Sequence, residues 1–553
     1  MSHSALFARL RRSIRTAFFS EQEQLTTESA LARREEAAQA ALGSRRQFLG
    51  GVGVLAATGA VGALASACGV EGGLEHGTGT SDALTNGVGS LDVAIVGAGL
   101  AGLTCASELL KNGVVASVYE ANTRVGGRQF SDTTTFPGQS VELGGELIDT
   151  SQKNIINYAR AFGLTLENYL KAPGDVFYFI DGRQVPEAQV INDFRAFVPA
   201  MQDDLRQCSA APTADAHNDY DKLIDAMSIR EYLTARGASD LLIKVVAASY
   251  TGEYGREIDD QSALNFIMYI RADRRAKFEP FGTSDQRYHI VEGNDGVARG
   301  LAAGLQAGQL KFNKALKRVR KTATGLELTF ADGTVKTHAI VVLAMPFTMM
   351  RADTADRIGG ADAATRITLD ASLGLPSWKQ DVINNLGYAM CSKNMVGFNG
   401  RAWAAQGSDG MLYANLPNIQ NAWETDWTNA NDSRAVMTNF TGGNLGLAQD
   451  PSKSASQTAA FVSDLARVFP AVSPNGKQRM QAWPREKWAR GAYTCYRKGH
   501  FTSIGGNEGK PVGNLYFAGE HCDSYYDQQG FMEGAIINGQ DNAAAILAAA
   551  KKA

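Results

Sequence analysis

A group of glycines with an acid further along the chain is the part of this sequence best suited to chemistry with a phosphate-bearing ligand. Gly97, Gly99 and Gly102 have the spacing GxGxxG, and Glu120 follows them. In such a motif the first glycine permits a tight turn, the second lets the backbone approach a pyrophosphate, and the third lets a helix pack closely on a strand. A carboxylate at the position of Glu120 binds ribose hydroxyls. The pattern predicts a dinucleotide site.

The elements that must position these residues are two strands and the helix between them. Residues 93–96 are an apolar run typical of a buried strand, and a second apolar run, 114–119, ends at Glu120. The amphipathic stretch between the two runs begins at Leu100 and Ala101, so we expect the first N–H groups of that helix to face the phosphates. The sequence therefore predicts an α/β fold with a Rossmann-like βαβ unit.

The residues after Glu120 distinguish between dinucleotides. Ala121 follows the acid directly, and a pair of glycines precedes Arg128. This continuation resembles the FAD fingerprint of the flavin-containing amine oxidase family, which includes monoamine oxidases, polyamine oxidases and L-amino-acid oxidases. Small residues and arginines just beyond the ribose site suit a long cofactor threaded into the protein. The resemblance implies FAD, and the alternative is an ordinary glycine-rich turn.

A second motif near the C-terminus resembles the same family. Gly519 and Glu520 end a predicted strand, and Phe531 and Met532 stand where the last helix begins. The resemblance implies that Glu520 contacts the ribityl and pyrophosphate region of FAD. It also implies that the Met532 N–H lies near the flavin pyrimidine, where a helix N-terminus stabilises negative charge on the reduced flavin. The alternative for Gly519-Glu520 alone is a turn at the end of a strand.

Two further stretches of the cofactor site follow from the resemblance. The segment Leu143-Gly144-Gly145-Glu146 resembles the turn whose backbone passes beside the flavin ring in the family, which assigns Gly144, Gly145 and Glu146 to the cofactor site. A hydrophobic residue on a later strand backs the adenine in the family, and Val319 is the expected match.

The resemblance implies oxidation of an amine, with transfer of a hydride equivalent to the flavin and reoxidation of the flavin by O₂ to give H₂O₂. The reacting nitrogen must be neutral, although an alkylamine has a pKa near ~10 in water. An apolar aromatic pocket disfavours the charged form by desolvation. Tyr493 and Phe531 match the two family rings that flank the amine, and the alternative is that both rings belong to the core.

Glu146 is the third residue assigned to catalysis. Eukaryotic-type amino-acid oxidases have an arginine for the substrate carboxylate just after the glycine turn, where this chain has Leu147. That departure argues against an α-carboxylate and allows a cationic substrate. Glu146 therefore has two alternative roles, to attract a second ammonium or to cap a turn as a structural acid.

Two more departures from the family concern the flavin. Monoamine oxidases tether the flavin through a cysteine just before the aromatic Tyr, and Ala492 stands there in this chain, so we expect non-covalent FAD. Many members also hold a lysine that binds a water at flavin N5, which we expect soon after Pro346. No lysine follows Pro346 there, and Arg351 is the nearest cation.

Composition and net charge limit the classes of molecule that the protein is expected to bind. A chain of 553 residues with 44% apolar and 20% charged residues is typical of a globular protein with two or more domains, and a net charge of −3 argues against nucleic acid. The six cysteines are scattered without metal-ligand spacing, so we expect no metal site and no disulfide framework. We expect a homo-oligomer, with a small amine or amino acid and O₂ as reactants.

The N-terminus resembles an export signal. Residues 44–49, SRRQFL, resemble a twin-arginine motif, and a weakly apolar stretch follows before Cys68. The twin-arginine export machinery is then a partner, and the mature enzyme is periplasmic or extracellular. Cys68 is either a lipidated first residue that anchors the protein to a membrane or lies just after a cleavage site at Ala67. The basic stretch 5–19 belongs to a leader that we expect to lie outside the fold.

The resemblance divides the chain between an FAD-binding domain and a helix-rich α+β substrate-binding domain. The favoured function is FAD-dependent oxidation of a primary or secondary amine. Alternatives are an L-amino-acid oxidase that uses an arginine from elsewhere, a periplasmic dehydrogenase with an acceptor other than O₂, and a non-enzymatic flavoprotein. We expect the leader over 1–68, a flexible linker over 69–90, the FAD-binding domain over 91–150, 286–346 and 490–553, and the substrate-binding domain over 151–285 and 347–489.

Overall fold

The fold is known from a computed structural model. It describes residues 17, 25–29, 31–33, 91–168, 174–268, 286–352, 360–425, 434–523 and 528–551. The described helices are α1 Leu100–Lys111, α2 Lys153–Ala161, α3 Glu187–Gln207, α4 Asp219–Asp225, α5 Ile229–Ala235, α6 Asp240–Tyr254, α7 Gly296–Ala303, α8 Ser377–Asn385, α9 Gly443–Ala448, α10 Ser454–Val468, α11 His500–Ser503 and α12 Met532–Ala550.

Twenty strands accompany these helices in the described part of the chain. They are β1 Val93–Val96, β2 Ser117–Tyr119, β3 Ser131–Asp132, β4 Val141–Glu142, β5 Leu166–Asn168, β6 Asp175–Ile180, β7 Arg183–Val185, β8 Tyr288–Ile290, β9 Leu310–Lys311, β10 Leu316–Lys321, β11 Leu326–Phe330, β12 Val335–His338, β13 Ile340–Leu343, β14 Thr368–Leu369, β15 Ser392–Phe398, β16 Ser408–Leu416, β17 Ile419–Glu424, β18 Ala435–Thr441, β19 Pro474–Ala482 and β20 Leu515–Phe517.

A parallel sheet in the order β20-β13-β1-β2-β9 forms the cofactor side of the molecule. Its central strand β1 is buried along its whole length, which explains why its sequence is a continuous apolar run. Strand β20, which comes from the C-terminal region, lies two positions from β1 in this sheet. The α/β fold with a Rossmann-like unit is therefore confirmed.

The helices that follow the two motifs also pack together. Helix α12 lies against helix α1, and Gly539 is the point of closest approach. A Cβ added at Gly539 would lie 2.4 Å from the carbonyl oxygen of Ala101. Only glycine fits where the two helices approach so closely. The packing of α12 on α1 joins the segments that contain the N-terminal and C-terminal motifs.

The substrate side is built on a seven-stranded sheet in the order β19-β15-β18-β17-β16-β6-β7. Only its β6–β7 hairpin was predicted as strands. All seven residues of β15 and all seven of β18 are buried, polar ones included. Both faces of these strands are covered by protein, so the alternation of polar and apolar residues that identifies a strand in the sequence is missing. The boundaries between the two domains stay predictions.

The leader contributes to the fold, contrary to expectation. Ala17 and Thr27 are buried, and Leu31 packs against the main core cluster. The Thr27 hydroxyl donates a hydrogen bond to the side-chain oxygen of Asn192 on α3. Residues of the leader thus pack against the folded part of the chain and are removed from solvent.

The twin-arginine motif, Cys68 and the linker over 69–90 lie outside the described residues. Among the described helices, none is long and apolar enough to cross a membrane.

Candidate active site

A deep cavity lies between the ends of the parallel sheet and the helices α1 and α12. The empty space in it, counted together with its open mouth, is about 1160 Å³. Its walls come from both sequence motifs. The predicted residues that line it are Gly97, Gly99, Leu100, Ala101, Glu120, Ala121, Arg128, Gly519, Glu520, Phe531 and Met532.

The glycines of the first motif have the roles expected of them. Gly97 has a φ of +111°, and a Cβ there would lie 2.3 Å from the carbonyl oxygen of Ala344. A Cβ on Gly102 would lie 2.0 Å from the carbonyl oxygen of Gly97, so this glycine allows the helix to pack on the turn. Gly99, by contrast, lines the cavity, and the nearest atom to its Cβ would be 3.9 Å away. Its bare backbone leaves room for a ligand.

The N-terminus of α1 faces the same cavity. Gly99 is the N-cap, it makes no side-chain capping bond, and the first turn contains no acid. Leu100 and Ala101 line the cavity with N–H groups that have no partner within a helix at this position. These N–H groups and the helix dipole form a site for a phosphate.

Glu120 is held at the cavity wall by backbone donors. Its Oε2 accepts from the Ala98 N–H at 2.7 Å, and its Oε1 accepts from the Asn122 N–H at 2.7 Å. Burial raises the pKa of this carboxyl above its ordinary value, and the backbone N–H groups offset only part of that rise. Each carboxylate oxygen keeps further acceptor capacity, which suits ribose hydroxyls.

Arg128 and Glu520 join the two motifs through an ion pair. Arg128 Nη1 lies 2.6 Å from Glu520 Oε1, and Glu520 Oε2 accepts from the Gly530 N–H at 2.8 Å and the Thr494 hydroxyl at 3.0 Å. Burial is the largest influence and would raise the pKa of Glu520, but the charge of Arg128, its hydrogen bond and other nearby positive charge together hold the pKa below its ordinary value. The carboxylate thus fixes Gly530, directly before Phe531, against the cavity wall.

Helix α12 presents a second free N-terminus to the cavity. Its N-cap Phe531 makes no side-chain capping bond. The one acid of the first turn, Glu533, points elsewhere, because its carboxylate accepts from the backbone N–H groups of Asn154 and Ile155 at 2.9 Å each and so caps α2. The N–H groups at Met532 therefore remain available for negative charge at the cavity.

The two predicted substrate rings lie next to each other. Phe531 lines the cavity, and Tyr493 lies behind Gly530, where a Cβ on that glycine would be 3.7 Å from the Tyr493 ring. The Tyr493 hydroxyl donates to the carbonyl of Glu253, and the Cys391 thiol donates to the same hydroxyl at 3.5 Å. Burial raises the pKa of Tyr493 well above its ordinary value, so the ring is neutral and apolar.

The predicted glycine turn supports the cavity wall from behind. The Gly144 N–H donates to Phe130 O at 3.0 Å, and a Cβ on Gly144 would lie 1.9 Å from the Arg128 carbonyl oxygen. The indole N–H of Trp483, a lining residue, donates to Leu143 O at 2.8 Å. Gly144 and Gly145 therefore contact residues of the wall in this structure, one layer from the cavity itself.

A buried lysine from β15 reaches this turn. Lys393 Nζ donates to Glu142 O at 3.0 Å, to Gly144 O at 2.9 Å and to Glu146 Oε2 at 2.6 Å. A cation was expected after Pro346, and Lys393 was not predicted. The available signal was its isolation, because Lys393 is the one charged residue in the stretch MCSKNMV over 390–396.

Glu146 is therefore not an open acid. Its second oxygen accepts from the Trp423 indole N–H at 2.9 Å, and the ion pair with Lys393 is buried on both sides. A carboxylate already matched by an ammonium has little charge left for a second substrate ammonium. Of the two alternative roles, the structure favours the structural one.

One expected contact is placed differently. Val319 lies in the core, and the residue of β10 that lines the cavity is Leu316. A bulge between Leu316 and Arg318 puts both Leu316 and Val319 on the buried face of the strand, and Leu316 is the one that reaches the cavity. Arg351, the cation nearest to Pro346 in the sequence, donates to the carbonyl of Leu386 at 2.7 Å and so satisfies the end of α8.

The donor set fits FAD. The N-termini of α1 and α12, the carboxylate of Glu120 and the ion-paired carboxylate of Glu520 line one cavity. Position 492 is an alanine, so it offers no thiol for a covalent bond to the flavin. Across the described residues no group of three or more His, Cys, Asp or Glu is placed to hold a metal ion.

Comparisons with known proteins agree with this geometry. A model of the family described as flavin containing amine oxidoreductase matches residues 100–547. A pseudooxynicotine dehydrogenase from a Pseudomonas species is 24% identical over 514 residues, spanning 90% of this chain and 94% of that protein. A solved putrescine oxidase with bound putrescine has TM-score 0.68 at 21% identity, covering 83% of this chain and 99% of its own. The cyclohexylamine oxidase of Brevibacterium oxydans IH-35A has TM-score 0.69 at 21% identity, with coverage of 83% and 99%.

Proposed function

This chain belongs to the flavin containing amine oxidoreductase family, and we propose that it oxidises a primary or secondary amine at the cavity between its two motifs. The overall reaction converts the amine, O₂ and H₂O to an aldehyde or ketone, ammonia or a smaller amine, and H₂O₂. FAD, when bound, supplies the acceptor for the hydride equivalent. The observation that carries the proposal is that Glu120, Arg128, Glu520 and Met532, far apart in sequence, line one cavity.

The residues at the flavin end of the cavity favour a neutral amine. Phe531 is a purely apolar ring, and the hydroxyl of Tyr493 is occupied by the Glu253 carbonyl. An ammonium that enters such surroundings loses its hydration, and this desolvation lowers the pKa of the amine. The two rings thereby increase the fraction of amine that carries the lone pair needed for oxidation.

Lys393 binds the turn that passes beside the flavin in proteins this chain resembles. Its three N–H groups donate to Glu142 O, Gly144 O and Glu146 Oε2. No N–H group of Lys393 is therefore left for a water, and its role is to hold the carbonyl groups of the turn in place.

Charge balance argues for an amine over an α-amino acid. Two cations at this end of the molecule, the partly buried Arg128 and the buried Lys393, each lie 2.6 Å from a carboxylate, Glu520 and Glu146 respectively. A substrate carboxylate would have to compete with those ion pairs. An L-amino-acid oxidase remains the runner-up, and it would need an arginine from another part of the chain.

We infer export from the sequence of the leader. The motif SRRQFL over 44–49 supports the twin-arginine route, which carries proteins already folded around a cofactor, and a periplasmic or extracellular enzyme follows. Anchoring through a lipid on Cys68 and assembly into a homo-oligomer also remain proposals.

The test is a substrate panel with two electron acceptors. The purified chain with FAD is mixed with tyramine, putrescine, cyclohexylamine, leucine and lysine, and H₂O₂ is measured in air. We expect peroxide with at least one amine and none with the amino acids. Peroxide from leucine alone would establish the runner-up. Bleaching of the flavin by amines with turnover only when an artificial dye is added would make the protein a dehydrogenase.

A further inference from the structure

A buried charged cluster lies behind the turn over 143–146, and the proposed mechanism does not use it. Its centre is His289 on β8. His289 Nε2 lies 3.0 Å from Glu142 Oε1, and Nδ1 lies 3.8 Å from Glu167 Oε2 on the paired strand β5. Histidine and both acids are buried, so the charges act in surroundings of low polarity.

Glu142 is the acid through which His289 reaches the turn. Besides His289, its carboxylate accepts from the Asn294 N–H at 2.8 Å and from the Ser131 hydroxyl at 2.7 Å. Three donors from separate segments therefore converge on one side chain. Its position fixes the beginning of the turn, because Glu142 directly precedes Leu143.

Two side chains then bind the carbonyl groups of the turn. Lys393 donates hydrogen bonds to the carbonyl oxygens of Glu142 and Gly144. The side-chain amide of Asn294 donates to Gly145 O at 2.9 Å and to Glu146 O at 2.6 Å. Asn294 is itself oriented by its contact with Glu142 and by the Ile290 N–H, which donates to its Oδ1 at 3.0 Å.

We propose that His289 is a positioning residue for the flavin. Its charged ring fixes Glu142, and through Glu142 and Asn294 it holds the turn over 143–146 and Lys393 against the cofactor wall. The inference rests on the proposed function, because it assigns the turn to the flavin side of the cavity. His289 also adds a positive charge behind the turn over 143–146, which the proposed function assigns to the flavin side of the cavity.

The electrostatics agree with a permanently charged ring. Burial alone would lower the pKa of His289, but the hydrogen bond to Glu142 and the nearby carboxylates of Glu167, Glu142 and Glu146 raise it to about 10. In the described part of the chain, the charged groups facing the ring are Glu142 on β4, Glu167 on β5, Glu146 on the turn and Glu292 just after β8.

The test compares His289→Gln with the wild-type protein, each loaded with FAD. The amide keeps one hydrogen bond to Glu142 and removes the charge. We expect a more negative midpoint potential of the flavin and a rate of flavin reduction per bound FAD that falls about tenfold, since small misplacements of reacting groups slow an enzyme strongly. The KM for the amine should change less than about threefold.

The matched control is His338→Gln. His338 is also a buried histidine paired with an acid, with Nδ1 2.6 Å from Asp92 Oδ1, and it lies on β12, at the edge of the four-stranded sheet. Its Nε2 lies 3.0 Å from the hydroxyl of Tyr119, a residue of the cavity lining. We expect this variant to lose stability and some FAD content, and to keep the wild-type potential and rate per bound FAD. An equal effect of both variants on potential and rate would overturn the proposal.

Two results for His289→Gln would also overturn it. One is a wild-type potential and a wild-type rate per bound FAD. The other is a loss of stability or FAD content with an unchanged rate per bound FAD, which is what a merely structural residue would give. If the single variant does not fold, the double variant H289Q/E142Q removes both charges together, and its rate per bound FAD decides the question in the same way.

The pH dependence of stability is a readout that needs no turnover. Because the folded pKa of His289 is raised to about 10 from an unfolded value near ~6.5, its contribution is fully present below that unfolded value and is lost as the pH rises through the folded one. The difference in Tm between wild type and His289→Gln should therefore shrink from pH 6.5 to pH 10. A difference that is constant over this range would contradict a charged ring.

Failure of this inference is distinct from failure of the proposed function. A wild-type flavin that no amine reduces would refute the function. A wild-type flavin that amines reduce, alongside a His289→Gln flavin that they reduce equally fast at the same potential, would refute only the role of His289.

Discussion

The two walls of the active site are built from different parts of the polypeptide. The wall at the dinucleotide end is mostly backbone: the glycines of the first motif, the N-terminus of α1 and the Ala98 N–H on Glu120. The wall at the flavin end depends on side chains brought from far away. Lys393 and Trp423 meet Glu146 across 247 and 277 positions of sequence. The first wall therefore depends on the absence of side chains, and the second depends on matched charges.

The largest effect is expected from adding a side chain to a glycine at the dinucleotide end of the cavity. Gly97→Ala combines a φ of +111° with a Cβ 2.3 Å from Ala344 O, and we expect a cost of about 2–6 kcal/mol in unfolding free energy and loss of FAD. Gly113→Ala is the matched control, since φ there is +81° and no atom lies within 4 Å of the Cβ. It should cost about 1–2 kcal/mol and keep FAD. Chemical denaturation and flavin absorbance measure both; equal FAD content in the two variants would break the distinction.

The next largest effect is expected from removing the buried ion pair between Lys393 and Glu146 at the flavin end. Lys393→Met leaves Glu146 buried without its ammonium, and we expect a cost of about 3–5 kcal/mol in unfolding free energy. The double variant K393M/E146Q should regain part of that stability. Lys498→Met removes an exposed ion pair with Glu231, whose side chains are 39% and 54% exposed, and should cost at most about 1 kcal/mol. Equal costs for the buried and the exposed lysine would show that charge matching does not hold this wall together.

These two walls also differ in how far the sequence predicts them. The glycine motif, β1 and β10 follow from patterns within a few residues, because turn geometry and a buried parallel strand each have a local signature. Lys393 has no such signature, since its partners lie on a turn that only the folded chain brings near. The seven-stranded sheet was missed for a related reason: with both faces covered by protein, its strands lose the alternating pattern.

The errors in the site have the same origin. Val319 was assigned to the adenine from the resemblance alone, and the fold brings Leu316 of the same strand to the cavity. Glu146 was given an open role because its partner, Lys393, is remote in sequence. In each case the local sequence was interpreted correctly as a strand or a turn, and the tertiary contact determined the role.

The smallest effect is expected at the substrate rings. Tyr493→Phe keeps the ring but leaves the Glu253 carbonyl without its donor, so we expect a loss of about 1–3 kcal/mol in stability. The KM and kcat for the amine should stay within about threefold, because the ring and its neutral surroundings remain. Tyr493→Leu, which removes the ring, should reduce kcat/KM further. Urea denaturation and peroxide release measure the two effects, and a Phe variant as slow as the Leu variant would assign the role to the hydroxyl instead.

The central claim is that the segments around Gly97 and Glu520 form one cavity for non-covalent FAD. The most direct test counts the flavin bound per chain after purification or reconstitution, and then precipitates the protein with acid. The account predicts close to one FAD per chain, all of it released to the supernatant because Ala492 offers no thiol. A colourless protein that takes up no FAD, or a flavin that stays with the precipitate, would contradict it.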